Sequence, residues 1–275
     1  MNKLINLLTM GGIISALAVM SLQAQAAIPS YGLVAAYTMN GNANDSSGKG
    51  HNAATNSVTK VPNRRGKAQS AFAFNGSTSI MTIPDHDAFS VNTTGYLSIA
   101  VWVHPIGTAV NRAGDLLFSH KEGSGYVHWL GKGNTYGAGG NQEWSLRIYS
   151  ADNTENPNRQ NRMSVYHFKY SGGLGPGSYV QEKLNGGWMH YVAIISKPDH
   201  RIWWYKNGKL VDNDGFALTD AYPIPDADLC NGNAPVRLGS QDGKSFFKGE
   251  IDNLYFDNRK LTPVEIEQIY TDTTP

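Results

Sequence analysis

Short segments in which apolar and polar residues alternate with a period of two recur through this chain, and clusters of Gly, Asn, Asp and Pro separate them. They run from Leu97 to His104, Asp115 to Lys121, Tyr126 to Leu130, Glu143 to Tyr149, Arg162 to Tyr170, Trp188 to Ser196 and Arg201 to Lys206. A period of two gives each segment one face to bury, so the segments must pair as strands and two sheets must close on each other. The expected architecture is therefore an all-β antiparallel sandwich. Asn207-Gly208 after IWWYK is a hairpin signal. One helix is predicted near the end, where Thr262 caps, Pro263 opens the first turn and Glu265 completes a capping box before Ile266 and Ile269.

The N-terminus predicts export. Lys3 precedes an apolar run from Leu4 to Met20 and the small-residue site Ala24-Gln25-Ala26, the pattern of a secretory signal cleaved near Ala26. Thr9, Gly11 and Gly12 interrupt the run, and no second long apolar stretch follows, which argues against a membrane anchor. Residues 1–26 are read as the signal and 27–275 as one domain, secreted or periplasmic and expected to be monomeric. Without Lys3, the 22 remaining basic residues balance the 22 acidic ones, so bulk charge does not recruit nucleic acid. Cys230 is the only cysteine and excludes an intrachain disulfide. Stability must then come from a core, which 40% hydrophobic residues can supply. The eight histidines show no zinc spacing.

Ordered blocks along the whole mature chain resemble the laminin G-like members of the concanavalin A-like jelly rolls. They are LVAAYTMNGNANDSSGKGHNA, AFAFNGSTSIMTI, LSIAVWVHP, GGWMHYVAIIS with WWYKNGKLV, and GEIDNLYFDNRKLTPVEIEQIY. The resemblance implies a jelly-roll sandwich with a short C-terminal helix. It is nearly silent on activity, because this fold serves adhesins, binding modules, hydrolases and lyases.

Strand parity selects the candidate site. Val127 and Trp129 suit the core and turn Tyr126 and His128 outward; Trp144, Leu146 and Ile148 do the same for Ser145, Arg147 and Tyr149, and Val180 for Tyr179 and Gln181. The Arg162 segment is ambiguous: inward Met163 and Val165 expose Arg162, Ser164, Tyr166 and Phe168, yet bury His167 and Lys169 unless the strand ends or bulges there. On one groove these residues match β-elimination from a uronate polysaccharide. Arg147 and Gln181 would neutralise the carboxylate and stabilise the enolate-like intermediate, His128 would remove the proton, and Tyr179 would protonate the departing oxygen. Tyr149, Arg162, Tyr166 and Lys169 would bind substrate, and no cofactor is required for this chemistry.

Tyr166, Phe168, Lys169, Gly177, Tyr179 and Gln181 also resemble a stretched form of the YFKxGxYxQ motif of polysaccharide lyase family 7, the alginate lyases. His167 interrupts the motif and a glycine loop splits it, and no QxH or RxE pattern follows the family's order. The implied class is a jelly-roll lyase of another type, such as those acting on ulvan. Glu250-Ile251-Asp252 resembles the ExDxxE signature of glycoside hydrolase family 16, but Tyr255 stands at the third acidic position. Asp252 is read instead, with Asn40, Asn42 and Asp45, as an oxygen-rich set for a structural calcium ion, beside the alternative of an ordinary Asx-rich turn. The competing functional reading is a non-catalytic carbohydrate-binding or adhesion domain using the same face.

Overall fold

The computed structural model describes residues 28–107, 109–110, 116–117, 125–133, 141–155, 159–168, 174–211, 222–223 and 231–272. The expected signal, Lys169 and Cys230 lie outside the described residues. In chain order the strands are β1 (Leu33–Tyr37), β2 (Ala54–Asn56), β3 (Thr59–Val61), β4 (Ala71–Asn75), β5 (Ile80–Ile83), β6 (Tyr96–Pro105), β7 (Ala109–Val110), β8 (Leu116–Leu117) and β9 (Tyr126–Gly133). They continue as β10 (Gln142–Tyr149), β11 (Arg162–Phe168), β12 (Leu174–Lys183), β13 (Met189–Ser196), β14 (Arg201–Lys206), β15 (Lys209–Leu210), β16 (Tyr222–Pro223), β17 (Val236–Leu238) and β18 (Lys248–Asp257). Helix α1 (Val91–Thr94) precedes β6, and α2 (Pro263–Thr271) follows β18.

Two antiparallel sheets form the sandwich. One has nine strands in the order β15-β14-β13-β6-β18-β4-β3, with β1 on β18 and β16 on β14; the other has seven, β12-β11-β10-β9-β17-β5-β2. Alternation decides what lies between them. Val101, Val103, Ala193, Ile251 and Leu254 from the first sheet meet Trp129, Trp144, Leu146, Val165 and Val180 from the second in one buried cluster. Each Val, Leu or Ile side chain among them contributes about 1.5–3 kcal/mol by leaving water.

The outer face of the nine-stranded sheet is itself partly covered. Ala36, Ala100, Val192, Ile194 and Tyr255 form a second cluster with Leu261, Ile266 and Ile269, which seats α2 on that sheet. The helix starts as its sequence predicts: Thr262 Oγ1 accepts from the Glu265 backbone N–H at 3.3 Å, and Glu265 accepts from the Thr262 N–H at 2.8 Å. At the β14–β15 hairpin, Asn207 and Gly208 both take positive φ, 50° and 79°, as a type I′ turn needs.

The ambiguous strand resolves into core and bulge. Met163 and Val165 are buried inward, while the pairing of β11 with β12 shifts register between Tyr166 and Phe168. His167, on the same face as Met163 and Val165, is fully buried opposite Trp144 as unbroken alternation implies, and Phe168 is buried too, contrary to the exposure that plain alternation assigns it. Burial pushes the His167 imidazole down to about 4.

Candidate functional site

The outer face of the seven-stranded sheet carries the sequence-predicted residues in a row. Arg147 pairs with His128 on one side and with Ser164 on the other, and Ser164 pairs with Tyr179. A bulge sets this register. Leu146 pairs with Leu130 but Arg147 with His128, so Trp129 is an extra residue in β9 and both Trp129 and Leu130 face the core. The bulge leaves His128 on the same face as Arg147.

His128 is held at three points. Its Nδ1 lies 3.0 Å from Asp242 Oδ2 and 3.0 Å from Ser245 Oγ, and its backbone N–H donates to the same hydroxyl at 3.0 Å. Its carbonyl accepts from the Gln241 N–H at 2.8 Å. Burial alone would raise the Asp242 carboxyl, but the His128 hydrogen bond and charge, with the Lys244 and Ser245 N–H groups, hold it well below the usual carboxylate range. With Nδ1–H directed at a carboxylate, Nε2 becomes the basic nitrogen of the ring.

Arg147 is fully buried and its guanidinium lies between two phenol rings, 3.9 Å from the Tyr126 centroid and 3.7 Å from that of Tyr166. None of Nε, Nη1 and Nη2 has a hydrogen-bond partner among the described residues. Five donors on a buried cation thus have only ring faces against them. Tyr166 in turn crosses Gly177, where any Cβ would stand 2.6 Å from the ring. Tyr126 and Tyr166 are the partly exposed members of this group.

The remaining residues continue the aromatic and cationic surface. The Tyr126, Tyr149 and Tyr179 rings follow one another at 5.4 and 5.8 Å. Burial, reinforced by Tyr166, raises the Tyr149 phenol and keeps it protonated, while its hydroxyl accepts from Arg159 at 3.3 Å. The Arg159 and Arg162 guanidinium groups lie 4.5 and 5.6 Å from the Tyr179 centroid, and Arg162 donates to Gln181 Oε1 at 3.0 Å.

The row therefore brings His128, Arg147, Tyr149, Tyr166, Tyr179, Arg162 and Gln181 onto one face. It corrects one inference: facing outward does not make them exposed, since His128, Arg147 and Tyr149 are fully buried and Tyr179 is 5% exposed. Asp242, Ser245 and Arg159 escaped sequence reading because each lies in a segment between strands, where no periodicity assigns a face. A Ser-x-Asp-x-x-Ser pattern, Ser240 to Ser245, is the only local signal for the first two.

Three members of the expected calcium set already have protein partners, while the buried Asn40 Oδ1 accepts no hydrogen bond among the described residues. Asp45 accepts backbone N–H groups from Ala36, Ser47 and His51 at 2.9–3.0 Å. Asn42 caps the Asn44 N–H, and Asp252 is ion-paired with Arg64. The Asp45, Asn42 and Asp252 oxygens thus face donors, and among the described residues no group of three or more His, Cys, Asp or Glu side chains is arranged to hold a metal. Glu250 pairs with His104 at 3.0 Å and, like Asp252, lies on the outer face of the other sheet. Among the described residues, no helix is long and apolar enough to cross a membrane.

Residues 75–267 match the family model described as the concanavalin A-like lectin/glucanases superfamily. Comparison with curated proteins returns no match. The solved structures that resemble the chain include the receptor-binding domain of botulinum neurotoxin C/D mosaic serotype, with TM-score 0.61 and 13% identity over 89% of this chain and 52% of that one. They include domain 4 of AbnA, a GH43 extracellular arabinanase from Geobacillus stearothermophilus in complex with arabinotriose, at 0.56 and 18% over 87% and 98%. Trypanosoma rangeli sialidase aligns at 0.56 and 15% over 89% of this chain and 33% of its own. The chain thus spans about half the toxin domain's length and a third of the sialidase's, and at these identities the likeness is one of fold.

Proposed function

Because the chain belongs to the concanavalin A-like lectin/glucanase superfamily, a fold shared with carbohydrate-binding and glycosidase proteins, we propose that it is an exported lyase cleaving a uronate polysaccharide of the ulvan type by β-elimination. The observation that carries this reading is Arg147, a buried guanidinium with no hydrogen-bonded partner among the described residues, beside a histidine oriented by a carboxylate. A uronate carboxylate would supply the missing acceptors, and its charge would be neutralised there as the enolate-like intermediate forms.

Each residue then has a role. His128 Nε2 takes the proton from the carbon beside the carboxylate while Asp242 stabilises the imidazolium that results. Electrons from that C–H bond form the double bond as the glycosidic C–O bond breaks. Tyr179 returns a proton to the departing oxygen. Arg162 and Gln181, already bonded to each other, hold the neighbouring sugar with Tyr149 and Tyr166, and Lys169 is assigned to the same task. Tyr166 competes for the proton-donor role, because its ring touches the guanidinium whereas Tyr179 stands two strands away, roughly 10 Å between backbones.

The unsaturated product absorbs in the ultraviolet, so the mature protein is incubated with ulvan, glucuronan, alginate and glycosaminoglycans and absorbance is followed. Rising absorbance on a uronate polymer is expected, and a flat trace on all of them overturns the lyase reading. Tyr179→Phe and Tyr166→Phe, compared side by side, identify the donor as the one whose loss lowers kcat by at least 100-fold. A second reading, binding without cleavage, is favoured by the full burial of His128 and Arg147 beneath partly exposed tyrosines. It predicts retention by a uronate polymer with no change in absorbance.

A further inference from the structure

The reverse side of the molecule carries a separate open depression of about 420 Å³, on the outer face of the nine-stranded sheet beside the C-terminal end of α2. Its walls are Trp102 of β6, Trp188, Tyr270 and Thr271, with Arg64 and Arg65 from the segment between β3 and β4. The size falls in the range of small-molecule sites. Trp102 stacks on Tyr270 with centroids 5.5 Å apart and planes at 19°, and the buried His190 ring supports both at 5.3 and 5.9 Å. Trp188 is half-buried and braced by His104 at 5.5 Å.

The charge arrangement says what could enter. Arg64 lies 4.6 Å from the Trp102 centroid, and its carboxylate partner Asp252 is only 1% exposed. Arg64 and Arg65 also donate to the Asp272 carbonyl, and neither Asp252 nor Asp272 is among the lining residues, so the rim consists of two partnered guanidinium groups and three aromatic rings with no carboxylate in the lining. In addition, the Trp102 Nε1–H is a buried donor without an acceptor among the described residues. Aromatic faces accept the C–H face of a sugar ring, and guanidinium groups pair with carboxylate or sulfate.

We propose that this depression is a second saccharide site that takes an anionic sugar unit, its ring over Trp188 and its acidic group against Arg65 and Arg64. It lies on the opposite sheet from His128 and Arg147, so it does not depend on the chemistry proposed there. One chain could engage a long polysaccharide on two faces, which raises retention on the polymer without a new active site.

The test uses the full mature chain carrying Arg147→Ala, so that the front face does not contribute. Three tetrasaccharides serve as probes: a glucuronan fragment for the carboxylate, a carrageenan fragment for the sulfate and cellotetraose as the neutral control. Binding is read by calorimetry and tryptophan fluorescence. At least one acidic probe should bind, with affinity falling as sodium chloride rises and cellotetraose at least tenfold weaker; whichever acidic probe binds more tightly identifies the anion. Adding Trp188→Ala, or Arg65→Gln at an exposed position, should weaken that binding at least tenfold in a protein that remains folded by its cooperative melt. Absence of binding by either acidic probe to the Arg147→Ala protein overturns the proposal. So does equal affinity for the neutral probe, or undiminished affinity in the folded Arg65→Gln variant.

Discussion

A buried guanidinium without hydrogen-bonded partners, as Arg147 is among the described residues, costs several kcal/mol, and each ring face there returns about 0.5–2 kcal/mol. A charge held at that cost fits the ligand-binding role proposed for it. Arg147→Met should accordingly raise stability by about 1–3 kcal/mol in urea unfolding and abolish turnover. A destabilised Arg147→Met protein would make the residue structural. Asp242 leads to a different expectation, because its carboxylate faces the His128 ring. Asp242→Asn should lower kcat by ~100-fold or more as the orienting acceptor becomes neutral. The acid limb of the pH–rate profile should also move to lower pH, since a nearby negative charge no longer favours the imidazolium. A purely structural Asp242 would lower the melt and leave that limb in place.

At the scale of elements, the face depends on close approach between β11 and β12. Gly177 has an ordinary backbone, yet an added Cβ would meet Tyr166 carbons at 2.6–2.7 Å. Gly177→Ala should therefore displace the ring from Arg147, costing about 1–3 kcal/mol in unfolding free energy and weakening substrate binding. An unchanged KM in a protein of unchanged stability would show that the ring does not position the guanidinium. The glycine-rich run GGLGPG, residues 172 to 177, reads as a groove wall from sequence, and no local rule ties its last glycine to a tyrosine ring. What the chain did disclose were period-two strands, the Asn-Gly hairpin and the Thr262 capping box, because each is a local rule. Arg201–Lys206 was bounded to the residue, and the parity of β9, β10 and β12 placed His128, Arg147 and Tyr179 on one face. Their pairing partners were not legible: the Trp129 bulge and the docking of Ser240 to Ser245 beside His128 are set by tertiary packing, which no periodicity encodes.

At the scale of the whole molecule, stability rests on a sandwich that buries ionisable groups on both sides. His167 and His190 are pushed down to about 4 and about 3, each chiefly by burial, with Lys197 and Arg64 respectively adding repulsion. Asp257 is pushed up to about 7 by burial, against Arg259 and with Glu265. The signs oppose. On unfolding between pH 6.5 and 4 each histidine takes up a proton, so its stabilisation is present above the unfolded pKa and is lost as pH falls. Folded Asp257 retains a proton that the unfolded chain releases above about pH 4, so its contribution declines as pH rises toward 7. One proton corresponds to about 1.4 kcal/mol per pH unit. Urea unfolding at pH 4.5, 5.5 and 6.5 should thus give His190→Phe a slope of stability against pH lower by about 1.4 kcal/mol per unit than the parent's, and Asp257→Asn a slope higher by the same amount. Parallel lines for parent and variants would mean that water reaches these groups in the native state. Because removing Asp257's charge acts on the face beneath α2, far from the row on the other sheet, Asp257→Asn should be more stable at pH 7.5 with turnover unaltered, which separates what stabilises the sandwich from what acts on its surface.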